Sequence, residues 1–388
     1  MQIHNPNGSD RDFDAVVIGA GVIGLSIGWR AAQAGLSVCV VDREGPGGGA
    51  SSVAGGMLAP VTEADFGERE LIELNLEGAA RYPAFVVELQ EATGIDIDYR
   101  SCGTIAVATD RDELEMLERL HSLQRSLGLE AERLSAREAR VLEPGLTPHV
   151  AGAVHAPGDH RVSPRALVEA LRAAFEREGG WLRSAEGVKR VVFAGDAVIG
   201  VELDSGERIA APQVVIAAGP WSGRVAGLPD DVNVQVRPVK GQILRLRGSA
   251  ETPLAARVIR APGVYVVPRS DGRMVVGATV EEQGFDRTVT AGAVFELLRR
   301  AYDVLPGVAE LELVQASAGL RPATPDNRPV LGHGARTGLV WATGHWRNGI
   351  LLAPLTGDAI AGLLGGTSLS DSLAPFAPGR VETAGAAR

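Results

Sequence analysis

Three glycines at the spacing Gly19-x-Gly21-x-x-Gly24 carry the most specific chemistry in this sequence. In such a motif the first glycine makes a tight turn, the second lets backbone amides approach a pyrophosphate, and the third lets a helix pack on a strand. The positive end of the helix dipole then favours the phosphates. Asp42 follows near the offset of about 20 residues at which an acid accepts a hydrogen bond from a ribose hydroxyl. The pattern predicts a dinucleotide site without distinguishing NAD from FAD.

Two further side chains could bind a carboxylate. Arg321 lies in Gly319-Leu-Arg-Pro322, and its guanidinium has the planar fork that matches a carboxylate. An isolated arginine is more often a solvated surface charge. Tyr265 lies on an alternating apolar segment, where a ring that packs across strands explains it equally well. From the residues alone, both alternatives stay open.

Other kinds of active site are not supported by the spacing of the reactive residues. No Ser/His/Asp or Cys/His arrangement has local spacing, and the seven histidines show no metal-ligand spacing, so we expect neither a hydrolase nor a metal site. Cys39 and Cys102 form no CxxC pair, which excludes thiolate zinc sites and thioredoxin-like chemistry. A reducing cytoplasm fits this cysteine usage best.

The elements that must position these residues follow from apolar patterns, Gly and Pro signals and helix caps. We expect strands at 13–18, 37–41, 188–193, 197–203, 214–217, 312–317 and 338–342, and an antiparallel sheet over 232–279 with a hairpin at 270–272. We expect helices at 22–34, 68–94, 111–127, 135–142, 164–178, 291–305 and 349–364. Parallel α/β segments at both ends therefore bracket an antiparallel middle, which indicates two domains woven through each other.

Composition limits the partners and the location of the protein. The net charge is −10 without a block of Lys and Arg, so we expect no nucleic-acid partner. The polar N-terminal segment lacks the features of a secretory signal, and no stretch of about 18 apolar residues could span a membrane. We therefore expect a cytoplasmic protein with no membrane partner. Glycine accounts for 49 of 388 residues, nearly twice the average of about 7%, which indicates close backbone approach to a ligand.

Eight motifs in order give the sequence a family resemblance. They are VVIGAGVIGLSIGWRAAQAG with VVDRE, AGGMLAP at 54–60, VVIAAGPWS at 214–222, RPVKGQ at 237–242, YVVPR at 265–269, VVGAT at 275–279, AGLRPATPDNRPVLG at 318–332 and GHWRNGILLAP at 344–354. With these motifs the chain resembles the FAD-dependent oxidases of the D-amino-acid oxidase type, and among them the glycine oxidases, over residues 13–364.

The resemblance implies a fold and its division. The fold class is α/β, with a discontinuous Rossmann-like FAD-binding domain and a second α+β substrate domain built on an antiparallel sheet. The FAD-binding domain would comprise 11–88, 149–232 and 318–366, and the substrate domain 89–148 and 233–317. We expect residues 367–388 to form a loosely ordered tail.

The resemblance also implies site residues. FAD would be bound by Gly19, Gly21, Val22, Ile23, Gly24, Asp42, Arg43, Ser51, Ser52, Gly56, Met57, Val188, Ala218, Gly219, Trp221, His345, Arg347, Asn348, Gly349 and Ile350. The substrate would contact Arg321, Tyr265, Arg347 and Val280, with the carboxylate on Arg321 and Tyr265. The amides at the start of the helix after Gly349 would face the flavin edge that gains negative charge on reduction. Hydride transfer needs orientation rather than an acid or base, so no catalytic side chain is expected. Since no cysteine follows Cys102, the FAD should be noncovalent.

The implied reaction is the oxidation of glycine, sarcosine or small D-amino acids to an imine, with O2 as acceptor and H2O2 as product. The resemblance suggests supply of iminoacetate to thiazole formation in thiamine biosynthesis, and we expect a homo-oligomer. Gly263 and Val280 stand where a relative can carry His and Met, which predicts a larger pocket. The alternatives are a D-amino-acid or proline-type FAD dehydrogenase with a quinone acceptor, a tRNA-modifying flavoprotein, which the net charge of −10 disfavours, and a redox-silent dinucleotide-binding module.

Overall fold

The structure is a computed structural model that describes residues 12–229, 232 and 234–382. Three predicted points lie outside the described residues: the domain start at residue 11, the domain boundary at residue 233, and the end of the tail at 383–388. The strands are β1 Ala15–Ile18, β2 Val38–Asp42, β3 Met57–Leu58, β4 Thr104–Ala108, β5 Glu132–Ser135, β6 Gly152–Ala156, β7 His160–Arg161, β8 Trp181–Ser184, β9 Val188–Ala194, β10 Ala197–Leu203, β11 Arg208–Ala210, β12 Val214–Ile216, β13 Arg237–Arg247, β14 Val258–Ala261, β15 Val264–Pro268, β16 Arg273–Gly277, β17 Glu312–Ala323, β18 Val330–His333 and β19 Leu339–Thr343. The α-helices are α1 Val22–Gln33, α2 Arg69–Thr93, α3 Arg111–Ser126, α4 Ala136–Leu142, α5 Pro164–Arg177, α6 Ala291–Val304, α7 Ala353–Leu364 and α8 Gly379–Glu382.

The first sheet has parallel strands in the order β19-β12-β1-β2-β8, with β18 antiparallel at one edge. Its central strands are unbroken apolar runs, as expected for a parallel sheet that is covered on both faces. The helices α1, α2, α5 and α7 share one core with one face, and the antiparallel strands β9, β10 and β11 cover the other. The carboxyl ends of β1, β12 and β19 therefore lie at one edge, where α/β sheets bind ligands.

The second sheet has the order β17-β13-β16-β15-β14-β4-β6-β5 and is antiparallel except between β14 and β4. Helices α3, α4 and α6 lie against this sheet, and residues of α4 and α6 share a core with one of its faces. On the other face Ile243, Val267 and Tyr265 cluster with Val53 and Met57, which come from the glycine-rich segment after β2. The two sheets confirm the predicted α/β class with a second, antiparallel sheet.

Several predicted elements differ from the structure. The helix predicted from residue 349 begins at Ala353, because residues 349–352 form turns and Pro354 suits the first helical turn. The strand predicted to end at 317 continues to Ala323, and since β17 is an edge strand it tolerates Pro322. Strand β6 falls in the segment predicted for the FAD-binding domain, yet it pairs with β4 and β5 in the second sheet. The chain therefore leaves the second sheet after Ala156, whereas the predicted domain boundary was at residue 149.

The predicted loose tail is also wrong for residues 367–382. A 3-10 helix at Asp371–Phe376 places Leu373 and Phe376 in the core beside α2 and β18, where each is at most 2% exposed. Arg380 forms an ion pair of 3.1 Å with Asp326. Two apolar side chains within a polar segment were enough to anchor it.

We expect Phe376→Ala to destabilise the protein by about 3 to 5 kcal/mol, because it removes a fully buried aromatic side chain. Urea unfolding followed by tryptophan fluorescence measures the loss. The matched control is Phe66→Ala, since Phe66 is 58% exposed and should change stability by less than about 0.5 kcal/mol. Equal midpoints for the two variants would contradict the packing of this segment.

Candidate active site

The three glycines of the motif between β1 and α1 have different surroundings, which correspond to the separate roles predicted from the sequence. Gly19 has φ +112°, and a Cβ there would lie 2.5 Å from the Ala217 carbonyl oxygen. A Cβ on Gly24 would lie 1.9 Å from the Gly19 carbonyl oxygen, so this glycine lets the helix pack closely. Gly21 faces the cavity, where a Cβ would have only the Ser51 hydroxyl nearby, at 3.3 Å. The first and third glycines serve packing, and the second leaves room for a ligand.

The N-terminus of α1 presents unpaired backbone donors to the cavity. Val22 N–H donates to the Ser51 hydroxyl at 3.0 Å, but among the described residues no acceptor takes the N–H groups of Gly21 or Ile23. Both residues line the cavity. Unpaired amides at the positive end of a 12-residue helix form a site for an anion such as a pyrophosphate. This donor set and the room at Gly21 fit a dinucleotide.

Asp42 lies at the cavity wall, but its carboxylate also holds the surrounding loops. One oxygen accepts from Ala20 N–H at 2.7 Å, and the other accepts from Glu44 N–H and Gly45 N–H at 2.9 and 2.8 Å. A carboxylate offers about four acceptor positions, so roughly one remains for a ribose hydroxyl. Loss of Asp42 would therefore disturb the glycine motif as well as any ligand contact.

A continuous cavity of about 760 Å³ runs from the α1 N-terminus to the second sheet. A volume of this size suits a large cofactor or ligand. The predicted residues that line it are Gly19, Gly21, Val22, Ile23, Asp42, Arg43, Ser51, Gly56, Met57, Val188, Ala218, Gly219, Trp221, Tyr265, Val280, Arg321, His345, Arg347, Asn348, Gly349 and Ile350. Gly24 and Ser52 lie behind the wall. Gly24 is buried against Gly19, and the Ser52 carbonyl is turned towards Arg245, whose guanidinium donates to it at 2.6 Å.

The segment 344–351 forms the wall between the ends of the cavity. Its turn is fixed by Tyr82, whose hydroxyl donates to the Ile350 carbonyl at 2.5 Å. Among the described residues no acceptor takes the N–H groups of Gly349, Ile350 or Leu351, all of which line the cavity. The donors predicted here are thus present, although they belong to a turn before α7 rather than to the helix itself.

His345, the second residue of this segment, is buried. Its Nε2 lies 3.1 Å from the Thr356 hydroxyl. Burial lowers the pKa of His345 to about 3, so the imidazole is neutral near pH 7.

Arg321 and Tyr265 come together at the other end of the cavity, on β17 and β15 of the second sheet. Glycines leave the room for both side chains: a Cβ on Gly241 would lie 2.4 Å from Arg321 Nη1, and one on Gly277 would lie 2.3 Å from the Tyr265 hydroxyl. Arg321 Nη1 donates to the Thr279 carbonyl at 3.1 Å.

No carboxylate among the described residues lies within ion-pair distance of Arg321, although Glu63 and Glu281 act on its charge from farther away. Burial lowers the pKa of Arg321, and burial raises the pKa of Tyr265 while Arg321 opposes that rise. The phenol is therefore protonated near pH 7 and can donate a hydrogen bond. A cation and a hydroxyl donor at one end of a cavity suit a ligand carboxylate.

Arg347 differs from Arg321 because acidic residues already neutralise it. Its Nε lies 3.2 Å from a Glu63 carboxylate oxygen, and its Nη2 donates to Glu68 at 3.1 Å. Glu63 also lies 3.4 Å from Arg260. The loop of Glu63 is held by buried Asp159, which accepts from Val61 N–H at 3.0 Å and from the Thr62 hydroxyl at 2.5 Å. Sequence reasoning missed Glu63 and Arg260, since neither lies in a recognisable motif.

Gly263 and Val280 both line the cavity, and their effect on the size of the pocket stays a prediction. Gly263 has φ +72° in the turn between β14 and β15, and a Cβ there would meet the Arg300 guanidinium at 2.0 Å. The glycine is explained by this turn, because side chains rarely adopt a positive φ. Val280 lines the cavity but is 67% exposed, so it lies at the rim.

Phe285 and Arg287 close the nucleotide end and were not predicted. The Arg287 guanidinium forms two bonds of 2.9 Å with the Glu44 carboxylate, just after β2. The Arg224 guanidinium stands 3.8 Å over the Phe285 ring, near Trp221. This edge is assembled by contacts between residues about 60 to 240 positions apart in the chain, so a local motif could not reveal it.

Within the described residues, no group of three His, Cys, Asp or Glu side chains is placed to hold a metal ion, and no helix has the length and apolar character needed to cross a bilayer.

Comparison with known proteins gives a consistent result. The sequence model of the FAD dependent oxidoreductase family matches residues 14–363. Glycine oxidase of Geobacillus kaustophilus is 38% identical over 94% of this chain and 96% of its own, and its crystal structure is similar with a TM-score of 0.89 over 94% of this chain and 98% of that one. Glycine oxidase of Pseudomonas aeruginosa is 33% identical over 94% of this chain and 98% of its own. The bifunctional protein ThiO/ThiG of Synechocystis sp. is 35% identical over 95% of this chain, which spans 54% of that protein.

We expect Gly21→Val to abolish cofactor retention, because a branched side chain would push the phosphates away from the α1 amides. The measurement is the flavin-to-protein ratio after gel filtration, with the flavin recovered in the filtrate after heat denaturation.

The control is Gly35→Val, at a glycine of positive φ with nothing within 4 Å, which tests strain away from the cavity. A full flavin complement in Gly21→Val would contradict this site, and flavin that stays with the denatured chain would contradict noncovalent binding.

Proposed function

The chain belongs to the family of FAD dependent oxidoreductases, and from this premise we propose that it is an amino-acid oxidase of the glycine oxidase type. It would oxidise glycine and similar small amino acids, such as sarcosine and small D-amino acids, with O2 as the electron acceptor. The products would be the imine or 2-oxo acid, ammonia and H2O2. One observation carries this proposal. The guanidinium of Arg321, which has no carboxylate within ion-pair distance among the described residues, lies beside Tyr265 in the same cavity as the unpaired amides of α1.

The first task of the residues at this end is to bind and orient a carboxylate. Arg321 would take it through the planar fork, and the Tyr265 hydroxyl would donate a further bond. Fixing the carboxylate sets where the neighbouring α-carbon lies, which restricts the substrate to one pose. The acidic partners of Arg347 leave Arg321 as the cation with free capacity, so the site favours substrates with one carboxylate.

The dinucleotide end fits FAD. The α1 amides would hold the pyrophosphate, Asp42 would face the ribose, and the residues at 188, 218–221 and 345–350 would surround the rest of the group. When bound, FAD supplies the acceptor for the hydride of the substrate and then passes electrons to O2. The unpaired N–H groups of Gly349, Ile350 and Leu351 add donors in the middle of the cavity, which suits a group that gains negative charge.

Proton transfer by a side chain is not part of the proposal. His345 stays neutral because burial lowers its pKa to about 3, and Tyr265 stays protonated because burial raises its pKa. Neither group therefore exchanges a proton near pH 7. Binding and orientation are what these residues contribute.

The place of the reaction in the cell is also proposed. The resemblance to glycine oxidases, and the similarity to a bifunctional ThiO/ThiG protein, support supply of iminoacetate for thiamine thiazole synthesis. We further propose that the protein is cytoplasmic.

We also propose that it forms a homo-oligomer. This second proposal is supported by exposed apolar side chains on α6 and β17, such as Phe295 at 68% and Leu313 at 47% exposure. The division into an FAD-binding and a substrate domain, with β6 in the latter, and the site residues that line the cavity belong to the same proposal.

The experiment is anaerobic mixing of the FAD-loaded protein with glycine, sarcosine, D-alanine or D-proline. We expect the visible absorbance of the flavin to bleach with at least glycine, and one H2O2 to form per substrate consumed when O2 is admitted. Bleaching without O2 uptake would favour the quinone-linked dehydrogenase. Absence of bleaching with all four compounds would contradict the proposed oxidase.

We expect Arg321→Ala to raise KM for glycine by about 30- to 150-fold with FAD still bound, because a charge-assisted pair worth roughly 2 to 3 kcal/mol is lost. Arg321→Lys should recover part of this, since an ammonium lacks the planar fork. Tyr265→Phe should cost about fivefold, or roughly 1 kcal/mol.

Steady-state kinetics at fixed O2 measure these changes. The control is Arg299→Ala, because Arg299 is exposed on α6 and pairs with Glu296 and Asp303. An unchanged KM in Arg321→Ala would refute the carboxylate assignment.

A further inference from the structure

The loop wall, residues 49–57, contacts both ends of the cavity. At the dinucleotide end, the Ser51 hydroxyl accepts from Val22 N–H at 3.0 Å. At the other end, a Cβ on Gly55 would lie 2.7 Å from the Tyr265 ring, so the ring packs directly on the backbone. The position of this wall therefore limits where the Tyr265 hydroxyl can lie.

Arg269 holds the loop wall from the second sheet. It follows β15 directly, it is 8% exposed, and its guanidinium donates to two carbonyls: Nη2 to Gly55 at 2.6 Å and Nη1 to Val162 at 2.7 Å. Val162 N–H in turn donates to the Gly56 carbonyl at 2.9 Å. The planar fork thus ties together two chain segments that already bond to each other.

Arg245 holds the same wall at Ser52, three residues before the Gly55 carbonyl that Arg269 holds. It lies on β13, it is 9% exposed, and its Nη2 donates to the Ser52 carbonyl at 2.6 Å. Its Nη1 donates to the Ser317 hydroxyl at 2.8 Å on the neighbouring strand β17. Each buried arginine therefore joins the loop wall to a second segment.

Neither arginine has a carboxylate within ion-pair distance among the described residues. Burial lowers the pKa of each guanidinium to about 10, so both remain charged near pH 7. Burying an unpaired charge is costly, and an apolar side chain would fill the same volume without that cost. The cost of burying these two guanidinium groups is explained if their N–H donors are needed to hold the Ser52 and Gly55 carbonyls in place.

We propose that Arg245 and Arg269 are positioning residues for the carboxylate site, which fix the loop wall at the Ser52 and Gly55 carbonyls and so set the Tyr265 hydroxyl beside Arg321. Tyr265 and Arg269 are four residues apart, so they project to the same side of an extended strand. One strand thereby carries a substrate contact and the support of the wall against which that contact packs. The inference rests on the proposed function, since it assumes that Tyr265 binds a carboxylate.

The test compares Arg269→Met, Arg269→Lys and Gly55→Ala in the FAD-loaded protein with FAD in excess. Three quantities are measured: the Kd of acetate, from the perturbation of the flavin spectrum, and the KM and limiting rate of anaerobic reduction by glycine. Gly55→Ala approaches the same contact from the loop, and Gly55 has no positive φ that would strain alanine. The matched control is Arg273→Met, because Arg273 lies across the same hairpin, is 51% exposed and pairs with Asp271.

We expect Arg269→Met and Gly55→Ala to raise the acetate Kd and the glycine KM by up to about fivefold in parallel, as Tyr265→Phe does, with the limiting rate within about twofold. Arg273→Met should leave all three unchanged. Arg269→Lys should recover only part, because one ammonium does not reproduce the fork that spans two carbonyls. Full recovery by lysine would overturn the proposal in favour of a purely electrostatic effect, and an unchanged acetate Kd in Arg269→Met would overturn it outright.

A double-mutant cycle tests the route through Tyr265. If Arg269 acts by placing the hydroxyl, adding Arg269→Met to Tyr265→Phe should raise the acetate Kd by less than about twofold. A full fivefold rise in that background would contradict the route. The two proposals fail separately: a wild-type protein that glycine cannot reduce sinks the oxidase, whereas one that is reduced while Arg269→Met matches Arg273→Met sinks the positioning role.

Discussion

The substrate end of this protein is arranged around Arg321, a half-buried arginine with no carboxylate within ion-pair distance among the described residues. Arg321 reaches the cavity only because Gly241 leaves space on the neighbouring strand, and its hydrogen bonds go to backbone carbonyls rather than to an acid. A buried charge in this state is costly unless an anion completes it. The nearby cation Arg347 is already paired with Glu63 and Glu68. We therefore expect a ligand carboxylate to bind at Arg321 rather than at Arg347.

The dinucleotide end also presents hydrogen-bond donors that lack protein acceptors, but here the donors are backbone N–H groups rather than a side chain. The N–H groups of Gly21 and Ile23 at α1, and those of Gly349 to Leu351 before α7, have no acceptors among the described residues. Both sets face one cavity together with Arg321. Since the loop wall contacts α1 at Ser51 and the Tyr265 ring at Gly55, the five residues 51–55 connect the two ends of the cavity.

Local sequence signals predicted the parts of this arrangement that are local in the fold. The glycine motif, β1, α1 and β2 were recognisable because each step is dictated by neighbouring residues. The β15–β16 hairpin followed from its turn residues in the same way. Family resemblance, rather than spacing, singled out Arg321 and Tyr265, because alone each has an ordinary explanation as a surface charge or a packed ring.

The remainder depends on contacts between distant segments. Glu63 and Arg260 come together only where the loop after β3 meets strand β14, and Arg245 and Arg269 donate to carbonyls about 200 residues away. Gly263 has a second explanation that the sequence did not reveal, because the positive φ of its turn favours glycine independently of the cavity that it lines. The segment after Gly366 was misjudged because composition alone did not reveal that Leu373 and Phe376 reach the core.

The most direct test of the central claim is a crystal structure of the FAD-loaded protein with an unreactive carboxylate analogue of glycine. The account predicts that both carboxylate oxygens lie within about 2.7 to 2.9 Å of the Arg321 guanidinium, with the Tyr265 hydroxyl donating to one of them. A carboxylate bound at Arg347 or Arg260 instead, with Arg321 still bonded only to backbone carbonyls, would contradict it.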